Sequence, residues 1–223
     1  MALFAFALVI FSIISIAAIS LLYYLVSNFQ PGSNKITSDL NKIKAEVDKW
    51  VPDLVPFHEE EFELLSLNQI NQVKKKGISR TAKGVFTTIY HEPVFLYAYK
   101  RYLGKAHNAI LYARTADREF LFRIRPQQME LRIDNQLVGA IKEGGLLYSA
   151  RTDRLLGRIN ASTGEQLQHI IVGDRDLATL QGPEAQTNDL SRAFEIVQSD
   201  LSKDEELILQ ALTIYELVNR EIN

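Results

Sequence analysis

The first stretch of the chain limits everything that follows it. From Ala2 to Val26 there is no charged side chain and no proline, and the only polar groups are the hydroxyls of Ser12, Ser15, Ser20, Tyr23 and Tyr24. At about 1.5 Å rise per residue, a helix of this length reaches across the roughly 30 Å hydrocarbon core of a bilayer. A cleaved signal peptide is the main rival, and it needs a basic lead, an apolar stretch of about 7–15 residues and a small-residue cleavage site. Nothing basic precedes this run, it is longer than that, and it ends in Tyr23, Tyr24, Leu25 and Val26, with both tyrosines placed for a headgroup-level aromatic belt. The run therefore predicts a retained transmembrane anchor over residues 1–28, with the rest of the chain working tethered to a membrane.

The flanks predict the orientation. Lys35, Lys42, Lys44 and Lys49 follow the run and only the α-amino group precedes it. Because lysine and arginine near a span stay cytoplasmic, the expectation is an N-terminus outside and a main domain in the cytoplasm. The chain has no cysteine, which excludes thiol chemistry and a disulfide framework.

About 195 residues follow the anchor, enough for one domain with its own core. The net charge of −2 conceals a segregation. From Ile70 to Ile159 there are seventeen Lys and Arg against seven Asp and Glu, and from Glu184 onward three against nine. The pattern fits either a positive face toward an anionic partner or two parts that neutralise one another on folding.

Residues 29–58 read as a linker. The Pro-Gly turn in NFQPGSN ends the anchor, and a helix follows over ITSDLNKIKAEVDKW. Ser38 is placed to cap it, and Leu40, Ile43, Val47 and Trp50 form one apolar stripe. Acid and base are mixed on its polar face, which favours packing on the folded domain or pairing with a second copy over lying on the membrane surface. Pro52 and Pro56 stop it, and the cluster Glu59, Glu60, Glu61 and Glu63 reads as a solvated lead-in to the next region.

Residues 59–223 form the main domain. Nine segments, GVFTTIY, VFLYAYKRY, NAILYAR, EFLFRIR, MELRID, LVGAIKE, LLYSAR, LLGRIN and LQHIIVG, have strand length and are rich in β-branched or aromatic residues. Turn chemistry joins them at Asp117-Arg118, Pro126-Gln127, Asp134-Asn135, Gly144-Gly145, Asp153-Arg154 and Thr163-Gly164. In EFLFRIR the side chains of Phe120, Phe122 and Ile124 fall on one face, and those of Leu121, Arg123 and Arg125 on the other. Strands at this spacing imply a closed or nearly closed antiparallel barrel or a sandwich.

ILYARTADREFLFRI and LLYSARTDRLLGRI echo each other, and LVGAI and LLGRI set Gly139 against Gly157. Glycine inside a strand marks a bulge or a close approach of another backbone, so both are expected to face one object. The C-terminal segment is the candidate. Ser202 and Glu205 have capping-box spacing, and the helix after them places Leu207, Ile208, Ala211, Leu212 and Tyr215, with Ile214, Leu217 and Val218, around more than half its circumference. It reads as a core helix, too charged at its ends to be a second span.

These features, paired hairpins carrying LVGAI and LLGRI, a last strand AFEIV and a terminal helix in DLSKDEELILQALTIYELV, resemble the tubby-like superfamily, in particular its phospholipid scramblase and LURP-one-related branch, over Phe62 to Val218. The resemblance implies a twelve-stranded barrel threaded by the terminal helix. It also implies anionic-lipid binding, lipid translocation, or a membrane-linked adaptor role. The chain departs from the scramblase pattern: its apolar anchor is at the opposite end, it lacks cysteines, and Glu205, Glu206, Glu216 and Glu221 lie on the terminal helix. Neither Asp174 with Asp176 nor Asp200 with Asp204 makes up a calcium site of six to eight oxygens, and turn or capping roles suit them.

No enzyme is expected. His58, His91, His107 and His169 lack metal-ligand spacing, no nucleophile elbow or phosphate loop is present, and no cofactor is implied. The best binding candidate is KKKGISRTAK, where Lys74, Lys75, Lys76, Arg80 and Lys83 form a cationic loop for an anionic leaflet, against the plain alternative of a solvated loop. Interspersed acids and the anchor argue against nucleic acid. The expected function is non-enzymatic binding of anionic lipid headgroups or a protein partner. Lipid translocation, or a place as an accessory subunit of a membrane complex, is the alternative.

Overall fold

The computed structural model describes residues 2–29, 31–76, 80–104, 107–142, 144–161, 167–182 and 191–222. The helix α1 (Ala2–Phe29) takes in the whole apolar run and is long and apolar enough to cross a membrane. Among the described residues it contributes no apolar side chain to the folded core.

Twelve strands follow: β1 (Leu65–Lys76), β2 (Arg80–Thr88), β3 (Pro93–Arg101), β4 (Ala109–Arg114), β5 (Glu119–Ile124), β6 (Met129–Ile133), β7 (Gln136–Lys142), β8 (Leu146–Ser149), β9 (Leu155–Ala161), β10 (Leu167–Val172), β11 (Arg175–Gln181) and β12 (Phe194–Val197). Each pairs antiparallel with its neighbours in sequence, in the spatial order β1 to β12. The sheet curls until its ends meet. Leu67 N–H donates to Ser191 O at 3.0 Å and Ala193 N–H to Leu65 O at 2.7 Å, so the barrel is nearly closed and its edges are covered. The sandwich alternative is thereby set aside. Asp134 and Asn135 both adopt positive φ, 47° and 67°, the conformation a two-residue hairpin needs to match strand twist.

Alternation sets the inside and the outside. Phe120, Phe122 and Ile124 are buried while Glu119, Leu121 and Arg123 are half-exposed, as the period of two in EFLFRIR requires. The space inside is filled by α4 (Lys203–Ile222), whose Ile208, Leu209, Ala211, Leu212, Ile214, Leu217 and Val218 join the inward side chains of the strands in one core. Fully burying one such aliphatic side chain stabilises by about 1.5–3 kcal/mol, so the helix is a principal source of stability. Leu207 and Tyr215, also expected in the core helix, are partly buried against the same cluster. The capping box is present: Glu205 N–H donates to Ser202 Oγ at 3.3 Å, and Ser202 N–H to Glu205 Oε2 at 2.9 Å. The buried Gln210 amide donates to Phe57 O.

Only one of the paired glycines faces α4. A β-carbon on Gly157 would meet Ile208 and Leu212, whereas one on Gly139 would collide with the carbonyl oxygen of Tyr148 in the neighbouring strand. Gly139 instead lies beside the irregularity in the β6–β7 register, where two backbones crowd together.

The linker helix α2 (Ser33–Val47) packs on the outside of the barrel. Leu40, Ile43 and Val47, together with Leu54, cover Val85, Leu96 and Tyr112 of β2, β3 and β4 in a second apolar cluster. Three details differ from the sequence reading. The helix starts at Ser33, with Gly32 at the N-cap position, so Ser38 lies inside it and caps nothing. Trp50 sits on the 3₁₀ turn Asp48–Asp53 and is 48% exposed, because the change of helical pitch turns it off the buried stripe. The glutamates form a short helix α3 (Glu59–Phe62), and Glu59 accepts hydrogen bonds from the backbone N–H groups of Asp200 and Leu201, so it ties the approach to α4 and is no mere solvated lead-in.

A buried ion cluster fastens α2. Asp39, 4% exposed, accepts from Lys35 at 2.7 Å, from Lys100 at 2.8 Å and from the Tyr102 hydroxyl at 3.1 Å. Burial works to raise the Asp39 carboxyl, but the hydrogen bonds from Lys100 and Lys35 more than offset it and hold the group below its ordinary value. Burial pulls Lys100 down against the attraction of Asp39. Lys44 pairs with Glu119 and Glu46 with Lys83, so three strands are bridged to one helix.

Candidate anion-binding rim at the α1 end of the barrel

An antiparallel meander brings the ends of all odd-numbered strands and the starts of all even-numbered ones to the same end of the barrel. At that end β1 finishes in Lys74, Lys75 and Lys76, β2 starts at Arg80, β3 finishes in Lys100 and Arg101, Arg123 and Arg125 close β5, and Lys142 closes β7. The other end carries Glu59, Asp117, Asp134, Asp153 and Asp174, with Asp204, Glu205 and Glu206 in the first turn of α4. Arg118 there pairs with Asp134 and Arg175 with Glu205, while Arg151 and Arg154 of the β8–β9 turn have no ion pair among the described residues; at the basic end Lys100 pairs with Asp39 and Arg125 with Glu130, and Lys142 reaches back along the barrel to Asp153. Among the described residues the two ends of the barrel differ in charge, but not by the division seen along the sequence: Asp117, Asp134 and Asp153 of the basic middle lie at the acidic end, and Glu221 of the acidic tail lies at the basic one.

The basic end is also where α1 arrives. Leu103 N–H, just past β3, donates to Asn28 O at 2.8 Å. The last turn of α4 reaches the same mouth. Arg220 donates to Gln181 O and Gln168 Oε1, and Glu221 Oε2 accepts from Gln72 at 2.7 Å and Lys74 at 2.9 Å.

The five cations expected on a loop lie on a hairpin instead. Lys76 pairs with Arg80, Lys75 with Thr81 and Lys74 with Ala82 in the β1–β2 ladder, because the segment continues both strands. Residues 77–79 and the Lys76 side chain lie outside the described residues. The cations are not equivalent. Lys74 is held by Glu221 and Lys83 by Glu46, whereas Lys75 and Arg80 have no carboxylate partner among the described residues.

Arg80 does have a neighbour that sequence reasoning missed. The β2–β3 ladder sets Arg80 directly opposite Arg101, and the next pair on that face, Ala82 and Tyr99, is buried in the core. The two arginines thus continue the inward face to the barrel mouth. Like charges opposite one another destabilise a sheet, so this pair is not explained by stability. Beside it lies a cavity of about 300 Å³ lined by Lys74, Lys75, Arg80, Tyr99, Arg220 and Glu221. The Tyr99 hydroxyl lies 3.1 Å from His107 Nε2. Burial raises the Tyr99 phenol while Arg101 and Arg80 oppose it, and burial lowers His107 with Arg101 adding to the effect. Arg80 lines this cavity with Lys75 and Tyr99, and Arg101 stands opposite Arg80 in the ladder, so the rim offers guanidinium, ammonium and hydroxyl donors of the kind that hold a phosphate group.

A signal for Arg101 existed. A hairpin that turns at Tyr90-His91 pairs Val85 with Leu96 and Phe86 with Phe95, and the same count carries Arg80 to Arg101. No group of three or more His, Asp or Glu that could hold a metal occurs among the described residues. Comparison of this chain with protein-family models, with curated proteins and with solved structures finds no match.

Proposed function

We propose that this chain is a single-pass membrane protein whose barrel binds anionic phospholipid headgroups at its α1 end. The observation that carries the reading is the placement of Arg80 and Arg101, which have no carboxylate partner among the described residues, with Lys75, on the same rim to which α1 returns. With α1 across a bilayer, this rim faces the headgroups, and the acidic end faces away from them. Each lysine or arginine near an anionic surface contributes about 1 kcal/mol of attraction, so a handful suffices for a domain that is already tethered. The lysines after α1 orient this rim toward the cytoplasmic leaflet, the more anionic one. The barrel threaded by its last helix is what the resemblance to the scramblase and tubby-like proteins leads one to expect, and membership of that superfamily is part of the proposal. Translocation has no specific support, since the inside of the barrel is filled by α4.

The test is flotation of residues 29–223 with liposomes of phosphatidylcholine, alone or with phosphatidylserine, across a salt series. The fragment retains both apolar clusters, to which α1 adds nothing. Salt-sensitive binding only to anionic vesicles, lost on Arg80→Glu with Arg101→Glu, is the expected result. Absence of binding at low salt sinks the reading and leaves a tethered protein adaptor.

A further inference from the structure

The last turns of α1 and the connection after β3 flank an open crevice of about 290 Å³, lined among the described residues by Leu25, Val26, Phe29 and Leu103. Its walls are fixed to each other. The hydrogen bond from Leu103 N–H to Asn28 O joins them, the buried Asn28 amide braces α1 by donating to Tyr24 O at 2.8 Å, and the chain turns beside Phe29 at Gly104 through a φ of 116°. We infer that this crevice seats one acyl chain of an anionic phospholipid, with its headgroup toward Arg101 and Arg80.

The inference rests on the reading that α1 crosses the bilayer and that the rim takes headgroups, and it adds the part of the ligand that the rim does not hold. Three of the four lining residues belong to the last turns of the membrane-crossing helix, next to Tyr23 and Tyr24, where headgroups and the first part of the acyl chains meet. The fourth is a barrel residue two positions beyond Arg101. A lipid on the open flank of α1 meets one wall, whereas a lipid here meets two, and its phosphate lies beside a guanidinium pair that lacks a carboxylate among the described residues. The fit requires a chain and an anionic group on one molecule.

The full chain in phosphatidylcholine nanodiscs, doped with phosphatidylserine or phosphatidylcholine carrying a photoreactive acyl chain, tests this by mapping the adducts with mass spectrometry. Adducts from the serine lipid are expected to concentrate on Leu25, Val26, Phe29 and Leu103 over Tyr23 and Tyr24 on the other side of the same turns. Leu103→Trp, which fills the crevice with an apolar ring, and Leu103→Glu both remove that concentration and leave labelling at Phe11 unchanged. Even labelling round α1, or equal labelling of the crevice by both lipids, overturns the seat. Flotation of residues 29–223, which lack Leu25 and Val26 of the crevice, separates the two failures: rim binding with even labelling sinks the crevice alone, and no rim binding sinks both.

Discussion

Gly157 and Leu212 meet at the limit of close packing: a β-carbon on the glycine would lie 3.1 Å from Leu212 Cδ1, 3.1 Å from Ile208 Cγ2 and 3.0 Å from the Ile171 carbonyl oxygen. The strand carries glycine because the helix takes the space. Gly157→Ala therefore overpacks the core and is expected to cost about 1–3 kcal/mol. Gly139→Ala meets the Tyr148 carbonyl oxygen at 2.1 Å, where backbone must move, and costs more. Urea denaturation of residues 29–223 ranks the two, and the reverse order would contradict the packing described.

Asp39 makes the attachment of α2 acid-sensitive. Its folded pKa lies below the ordinary value of 3.8, so its ion cluster contributes fully above that pH and is lost as pH falls through the lower folded value. Trp50, the chain's single tryptophan, sits just beyond α2 and reports its release. Its emission is expected to stay constant down to about pH 4 and to change below it. Asp39→Asn leaves Lys100 without its carboxylate and costs about 3 kcal/mol at neutral pH. An unchanged denaturation midpoint in that variant would show the cluster to be dispensable.

The cations differ in what they offer an anionic surface. Lys75→Gln and Arg80→Gln are each expected to weaken vesicle binding about fivefold, the equivalent of about 1 kcal/mol. Lys83→Gln, already paired with Glu46, has a smaller effect. Glu221→Gln frees Lys74 and strengthens binding. Equal effects at Lys75 and Lys83 would mean that net charge alone matters.

If the rim takes headgroups as proposed, His107 gives that binding a pH dependence. Its folded pKa is below 6.5, so the free domain favours the neutral ring and loses stability as pH falls through the folded value. A phosphate beside Arg101 favours the protonated ring. Vesicle binding is thus expected to strengthen as pH drops below about 6.5, and His107→Gln is expected to abolish the rise while leaving binding at pH 8 in place.

Where alternation is regular, the sequence is easily read: β5 and β7 fall where their patterns place them. β1 was missed because register shifts between Leu65 and Gln69 and between Ile70 and Val73 scramble its period of two. β11 was missed because Leu177, Ala178, Thr179 and Leu180 are buried in succession, which leaves no alternation to detect. The rim was half legible. Charge density pointed to Lys74 through Lys83, but which cations are spent depends on Glu46 and Glu221, 37 and 147 positions away from their partners. Such pairings follow from the fold and from no local spacing.

The strict meander has a consequence for how the protein is made. Each strand finds its partner already synthesised beside it, so the sheet can grow as the chain emerges, while α4, the filler of the barrel, is the last element to appear. If α1 enters the bilayer first, as proposed, the domain spends most of its synthesis as an open apolar trough held next to a membrane. A ribosome stalled before Lys203 would leave it in that state, exposed to chaperones and to lipid alike.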